Sequence, residues 1–433
     1  MTPRRLLIVS PHFPPTNAPD HQRIRACLSH YRAFGWEPTV LAIHPDDVLA
    51  PRDESLAQLL PGDLRVHRVR ALPYRWTRLV GMGTLGLRAL PAMRRAGDEL
   101  LAGQRFDLVL FSTTQHAVTA LGPRWLRRFN VPYVVDIQDP WRTDYYRRRG
   151  IVPPGGALKF RLSQCVAAFL EPNVMRNAAH LLAVSPHYLR ALAKRYPAIT
   201  KDRGTVLPFG FAQEEYDALD EHAARQTCFD TRDGMRHWVY AGACGPMMRP
   251  ALDCLFRALA SVRKKNPTMW SNVRLHFVGT SYAVPGVESV LPVARRHGVE
   301  DLVREQPARI GHLETLRLLR DADVLMLVGS DDAGYSASKA AAYLFAGKPL
   351  AAVVHGGTPV ARLLESAGVA SLTKFDAPEA DAHLQGILEG LTASPLSEPQ
   401  WNTRALDRLT ARHNARIQCT LFDRVLAGKA ARD

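Results

Sequence analysis

Residues 334–353 read GYSASKAAAYLFAGKPLAAV, and the order of residue types in this stretch decides the fold. Small and hydroxyl residues (Tyr335, Ser336, Ser338) lead through Lys339 into an alanine-rich segment, 340–346, of high helix propensity. Gly347 ends that helix, Lys348-Pro349 turns the chain, and the apolar run 350–354 is short enough to be a buried parallel strand. A helix start with open backbone N–H groups, two hydroxyls and an ammonium is a place where phosphate can sit. The same residues also suit an ordinary loop-helix-strand unit with a surface lysine.

The length of 433 residues predicts two or three domains with room for full cores. The longest apolar stretch of the first half, 79–93, is interrupted by Arg88 and too short to span a bilayer. The run 6–10 is strand-sized and lacks the apolar length of a signal peptide. Six cysteines (Cys27, Cys165, Cys228, Cys244, Cys254, Cys419) are scattered without a CxxC pair or a histidine at zinc-ligand spacing, which fits a reduced, cytoplasmic protein without a metal cluster. The net charge of +15 is uneven: residues 1–200 hold 28 Lys and Arg against 14 Asp and Glu, residues 201–433 hold 28 against 27. That asymmetry points to an anionic partner for the first half, either a membrane surface, nucleic acid or an acidic substrate. Within it, residues 74–95 mix Trp76, leucines and methionines with Arg75, Arg78, Arg88, Arg94 and Arg95. This is the makeup of a helix at a headgroup interface, or of a core-packing helix with a solvated basic face; Gly81, Gly83 and Gly86 weaken any long helix there.

Strand-sized apolar runs recur along the chain. The first is 6–10, followed by a proline-stiffened loop, a helix over 20–34 closed by Gly35, and a strand over 39–43. This order puts loop 14–20 at the carboxyl edge of a sheet, where open α/β folds bind ligands. The loop holds no glycine, which argues against a nicotinamide or flavin cofactor. Strands follow over 106–112 and 132–137, the second ending in QDPW with Asp136, Asp139 and Trp141. Acids at that rim accept hydrogen bonds from sugar hydroxyls or hold a loop. After a helix over 157–177 and a strand over 181–184, the segment VLPFGF (206–211) exits through Gly210. A polar stretch, 212–234, precedes a second α/β series with strands over 238–241, 274–278, 324–328 and 350–354. The expected architecture is therefore two α/β domains of similar size meeting near residue 210, with a last helix over 401–427 packing back.

At this point FPPTNAPDHQRIR, DIQDPWRTDYY, VLPFGF, YAGACG, LHFVGT, ADVLMLVG and SASKAAAYLFAGKPLAAV, taken in order, resemble a GT-B glycosyltransferase. The chain is most similar to family 4, the retaining transferases with nucleotide-sugar donors, and the DPW segment with its tyrosines is similar to bacterial cell-surface polysaccharide members. The resemblance spans nearly the whole chain. It implies an α/β fold of two Rossmann-like domains facing across a cleft: 1–210 for the acceptor, 211–400 for the nucleotide sugar, and 401–433 returning as a helix toward the first domain. It also implies a metal-independent hexosyltransferase with no cofactor besides the donor, acting on a lipid-linked glycan at the inner membrane face.

The resemblance carries over two residues: Gly242 matches the glycine that opens the motif, and Arg249 stands near the place of the cation on the donor diphosphate. The chemistry and placement of the other residues complete the expectation, with Lys339 beside Arg249 as the catalytic cations, Asp331, Asp332, Tyr335, Ser336, Ser338 and Gly210 on the donor side, and Thr16, Asn17, Arg23, His116 and Asp139 on the acceptor side of the cleft. The arginine that often follows the motif glycine is Ala243 here, and the paired glutamates of the family fall on Gly334 and Ala342. That departure leaves a second expectation, a catalytically inactive GT-B protein serving as a scaffold or sugar-nucleotide-binding module. His12, His21 and His116 are candidate bases or sugar contacts, although a retaining mechanism that leans on the donor phosphate does not require a protein base. Anionic lipid is expected at Arg75, Arg78, Arg94, Arg95 and 147–149. Nucleic acid is not, because no binding motif accompanies the charge.

Overall fold

The computed structural model describes residues 3–78, 83–153, 155–197, 199, 201–281, 286–392 and 396–430. The chain divides into two compact units, Met1–Pro208 with Ala411–Asp433, and Phe209–Thr410.

Unit 1 carries seven strands, β1 (Arg4–Val9), β2 (Trp36–Ile43), β3 (Arg65–Val69), β4 (Leu108–Ser112), β5 (Tyr133–Ile137), β6 (His180–Ala183) and β7 (Gly204–Val206). They pair in parallel in the order β3-β2-β1-β4-β5-β6-β7. β1, β4 and β5 are apolar because both faces of the sheet are covered, and Leu6, Ile8, Leu108, Leu110 and Val134 meet in one core. Strand order runs outward in both directions from the β1/β4 pair, so the loops after these two strands flank a topological switch point. The helices that matter for the site are α1 (Gln22–Cys27), α2 (Tyr74–Thr77), α3 (Leu85–Gly103), α4 (Tyr145–Arg149) and α5 (Ala157–Asn177).

The basic-aromatic stretch 74–95 is not one interfacial helix. It splits into α2 and the start of α3, with residues 79–82 outside the described ones. Arg88 points inward, its Nε donating to the Leu72 carbonyl at 2.7 Å and Nη2 to the Asp47 carbonyl at 3.0 Å. It serves the α3 packing, while Arg94 and Arg95 stay exposed.

Unit 2 repeats the plan with six parallel strands, β8 (Arg236–Ala241), β9 (Val273–Val278), β10 (Val303–Gln306), β11 (Val324–Val328), β12 (Leu350–Val354) and β13 (Leu372–Lys374). The order is β10-β9-β8-β11-β12-β13, so its switch point lies between β8 and β11. Helix α6 (Arg249–Lys265) buries Leu252, Leu255, Phe256 and Leu259, an i, i+3, i+4, i+7 face, against Trp238 and Phe277 of the sheet. The alanine-rich segment forms α7 (Ala340–Phe345), ahead of β12.

The last helix, α8 (Ala411–Ala430), belongs to unit 1, where Phe422 packs edge-on against Trp36 at 5.3 Å and Tyr31 donates to Gln418. Residues 401–410, read from the sequence as part of that helix, pack with unit 2 instead. The Asn402 N–H bonds the Ala367 carbonyl at 2.9 Å, and Leu409 accepts from the Phe211 N–H at 2.8 Å.

Candidate functional site

β8 is followed by Gly242, whose φ of +126° is open to glycine and strained for other residues. A Cβ there would fall 2.5 Å from the Lys339 Nζ, so the missing side chain is what lets the ammonium lie against the end of β8. Lys339 Nζ donates to the Tyr240 hydroxyl at 2.7 Å and lies 4.0 Å from the centre of the Tyr240 ring. Burial lowers its pKa to about 8, and the positive charge of Arg309 works in the same direction. The strand end itself is fixed by Tyr343, whose hydroxyl accepts from the Ala241 N–H at 2.7 Å and donates to the Ala241 carbonyl at 3.1 Å. β9 is likewise followed by a glycine of positive φ, Gly279 at +72°, with its N–H on the Gln306 carbonyl at 2.8 Å; a Cβ there would lie in ordinary contact, 3.7 Å from the Arg309 Cα. The Gly242 turn thus makes room for the Lys339 ammonium, and Arg309 stands beside the Gly279 turn with its charge acting on Lys339, at the carboxyl edge of one sheet and at its switch point.

Sequence reading missed Arg309 and Tyr240. Arg309 follows β10, an edge strand too polar to register as an apolar run, whereas Gly279 is the glycine of the LHFVGT segment.

The other residues expected on the donor side divide by their contacts. The Asp331 N–H bonds the Met247 carbonyl at 3.0 Å, which ties loop 330–335 to the turn entering α6. Arg249 is the first residue of α6 and is exposed; the cation whose charge is felt at Lys339 is Arg309. Asp332 accepts the Gly334 N–H at 2.9 Å, gives its own N–H to Ser330 Oγ at 3.0 Å and receives the Tyr335 N–H on its carbonyl at 2.9 Å. It caps the loop. Tyr335 is half-buried against the unit 2 core, Ser336 is half-buried and Ser338 exposed. At the helix start expected to be open, α7 has six residues and the Ala340 N–H is taken by the Ala337 carbonyl at 3.2 Å. Gly210 is half-buried beside Phe211, whose ring packs 5.9 Å from Phe345 of α7. No carboxylate occupies the two glutamate positions. Gly334 is buried, and the Ala342 carbonyl accepts from the Tyr216 hydroxyl at 2.8 Å.

In unit 1 the switch-point loops carry a buried polar network. Asp20 Oδ1 meets His12 Nδ1 at 2.8 Å, while Oδ2 accepts from Thr113 Oγ1 and from the Thr114 N–H and hydroxyl, each at 3.1 Å. Burial alone would raise its pKa, but the His12 charge and hydrogen bond hold it well below the usual carboxylate range. At the end of β5, Asp136 accepts from Ser112 Oγ at 2.8 Å and Gln138 Nε2 at 3.2 Å, and lies 3.3 Å from Arg23 Nε.

These contacts correct three acceptor-side expectations. Arg23 is fully buried, with Nη2 on the Leu207 carbonyl at 2.7 Å, so its guanidinium braces β5 and β7 from within. Thr16 and Asn17 are buried as well. Thr16 pairs with Arg52 and accepts from His21 Nε2 at 2.7 Å, while the Asn17 N–H is on the Pro51 carbonyl at 2.8 Å. His12 is taken up by Asp20, and burial drives His21 down to about 3.

His116 and Asp139, by contrast, come together at the surface. His116 Nε2 is 3.1 Å from the Asp139 carbonyl, which can only accept, so Nε2 carries the proton. The ring stacks on Trp141 at 5.5 Å, and desolvation lowers its pKa to about 4. Both rings line a cavity of about 630 Å³ between α3 and α5.

Among the described residues no group of His, Cys, Asp and Glu is placed to hold a metal ion, and no helix is long and apolar enough to cross a membrane.

Two parallel-sheet α/β units with these switch points define the GT-B class of glycosyltransferase folds. Residues 21–210 match the model of the glycosyl transferase 4-like domain, and over that stretch the chain is similar to that family. Among curated proteins nothing matches. Solved structures of the same fold include the UDP-forming α,α-trehalose-phosphate synthase of Burkholderia xenovorans in complex with glucose-6-phosphate, at 15% identity and TM-score 0.62 over 98% of this chain and 100% of that one. The corresponding synthase of Burkholderia vietnamiensis follows at 14% and 0.61, over 98% and 100%. Anabaena HepE in complex with UDP-glucose is similar at 14% and 0.56, over 99% and 100%.

Proposed function

We propose that the chain moves a hexosyl group from a nucleotide-sugar donor, held at the β8/β11 switch point of unit 2, to an acceptor held by unit 1. The observation that carries this reading is the convergence of Lys339 and Arg309 on the Gly242 and Gly279 turns. A departing diphosphate needs positive charge placed in advance, in a site with little water, and these residues supply it. In the reaction, the bond from the sugar C1 to the phosphate oxygen breaks and a bond from C1 to the acceptor oxygen forms. The acceptor proton passes to the leaving diphosphate, which accounts for retention without a protein base, a metal or a cofactor. HepE was solved with UDP-glucose, which makes UDP-glucose the first donor to try. The acceptor in this reading is a lipid-linked glycan of a polysaccharide pathway, met at the cytoplasmic membrane face by the basic half of the chain, with no role for nucleic acid.

Gly334 and Ala342 favour a second reading, a sugar-nucleotide-binding scaffold without turnover. Single-turnover assays with a panel of UDP-, GDP- and ADP-sugars separate the two. Transfer or slow hydrolysis of at least one donor is expected, and tight donor binding with no bond cleavage would leave only the scaffold.

A further inference from the structure

α5 shows a face that nothing in unit 1 covers. Leu158, Leu162 and Phe169, spaced four and seven residues apart on one side of the helix, are 75%, 53% and 82% exposed. Of the ten large apolar side chains exposed among the described residues, these three and Tyr74 and Trp76 of α2 make five. The cavity of about 630 Å³ joins the two groups, because Tyr74, Leu158 and Leu162 all line it. A volume of this size suits one small-molecule ligand (roughly 300–1,000 Å³).

The lining mixes three kinds of side chain. Gln115 and the neutral His116 stacked on Trp141, in the segments that follow β4 and β5, make an aromatic and hydrogen-bonding surface suited to a sugar ring. Leu158 and Leu162 are apolar. Arg78 and Lys159 are cations, and among the described residues no acidic side chain lines the cavity. The surroundings are mainly basic: residues 157–170 of α5 contain Lys159 and Arg161 and no acid, and the exposed Arg147–149 of α4, of which Arg148 pairs with Asp144 at 2.9 Å, sit beside it through the Tyr146–Phe160 ring contact at 5.3 Å.

We propose that this cavity binds a lipid phosphate: the phosphate at Arg78 and Lys159, the hydrocarbon chain along Leu158 and Leu162 toward Phe169, and any attached sugar against Trp141 and His116. An isolated apolar stripe would accept any hydrophobe, and an isolated basic patch any anion. A cavity whose lining combines apolar, cationic and polar aromatic side chains selects a molecule that carries all three parts. The inference rests on the reading of unit 1 as the acceptor half, and it replaces the arginines of α3 by α5 as the element that meets the lipid.

The test is binding of farnesyl phosphate to the full chain, read by tryptophan fluorescence and calorimetry, beside farnesol, inorganic phosphate and phosphatidylglycerol vesicles. Farnesyl phosphate is expected to bind at least tenfold more tightly than farnesol or inorganic phosphate. Lys159→Glu is expected to weaken it tenfold or more and Leu162→Gln about fivefold, with UDP binding unchanged. Both positions are exposed, so neither variant threatens folding, and unchanged thermal midpoints verify that. Equal binding of inorganic phosphate, vesicle binding without farnesyl phosphate binding, or indifference to both substitutions would overturn the proposal. Farnesyl phosphate binding in a protein that fails to bind UDP would sink the transfer reading and leave this site standing.

Discussion

The carboxyl edges of the two sheets are built alike and used differently. In unit 1 the charges at the switch point are spent on each other: Asp20 on His12 and the Thr113-Thr114 turn, Asp136 on Arg23, Ser112 and Gln138. In unit 2 a cation faces a second cation. Lys339 gives one hydrogen bond to a tyrosine, and its nearby charged neighbour, Arg309, repels it. A buried carboxylate-guanidinium pair keeps a loop in place, whereas a desolvated ammonium beside a second positive charge opposes folding and is relieved by an anion. The lesson is that charge at a sheet edge has to be read with its neighbours: opposite charge braces the fold, like charge favours a ligand.

The comparison breaks most readily at Arg23. Arg23→Ala strands Asp136 in the interior, and a loss of about 3–5 kcal/mol in unfolding free energy is expected, the usual consequence of splitting a buried ion pair. Urea unfolding measures it, and a change within about 0.5 kcal/mol would mean that the pair is not structural.

Lys339→Met is the counterpart in unit 2. Removing charge-assisted hydrogen bonds to a diphosphate should cost about 1.5–3 kcal/mol of UDP affinity, read by calorimetry. Stability should respond in the opposite sense to Arg23. Folding lowers the Lys339 pKa, so the ammonium opposes folding at neutral pH, and the variant should unfold no more easily than the parent. UDP affinity equal to that of the parent would remove Lys339 from the site.

The smallest effect sharpens the same point. With the Lys339 pKa near 8 instead of 10.5, the ammonium is fully present below about pH 7 and is lost as pH rises through 8. UDP affinity should be level below pH 7 and fall by up to about tenfold per unit above 8, until the pKa of the complex is reached. In Lys339→Met the profile should be flat over that range. A parent profile flat to pH 10 would show that the lysine is not desolvated.

How much of this was legible in advance follows a physical line. Nine strands stand out in the sequence as apolar runs, and all nine occupy interior positions in the two sheets. The four that did not register, β3, β7, β10 and β13, are the four edge strands, where residues such as Arg65, Arg68 and Arg304 face solvent. Covering on both faces writes a strand into composition, and an open edge erases that signature. The loss carried over to the site: Arg309 follows the unrecognised β10, and without that strand no argument could bring it next to Lys339. Arg23 failed for the converse reason, since a buried arginine and a ligand-facing one have the same letter and the same helical position.

The sequence by itself determined two α/β series, their junction near residue 210, and a glycine and a lysine, 242 and 339, that meet at the β8/β11 switch point. Those follow from local properties: apolar runs that must be covered, a φ that favours glycine, a proline or glycine that ends a helix. Only the tertiary structure decided which charges cancel and which remain, that α5 turns leucines and a phenylalanine outward, and that residues 401–410 stay with unit 2. Each depends on which distant segment becomes a neighbour, and no periodicity along one segment encodes the identity of the residue packed against it.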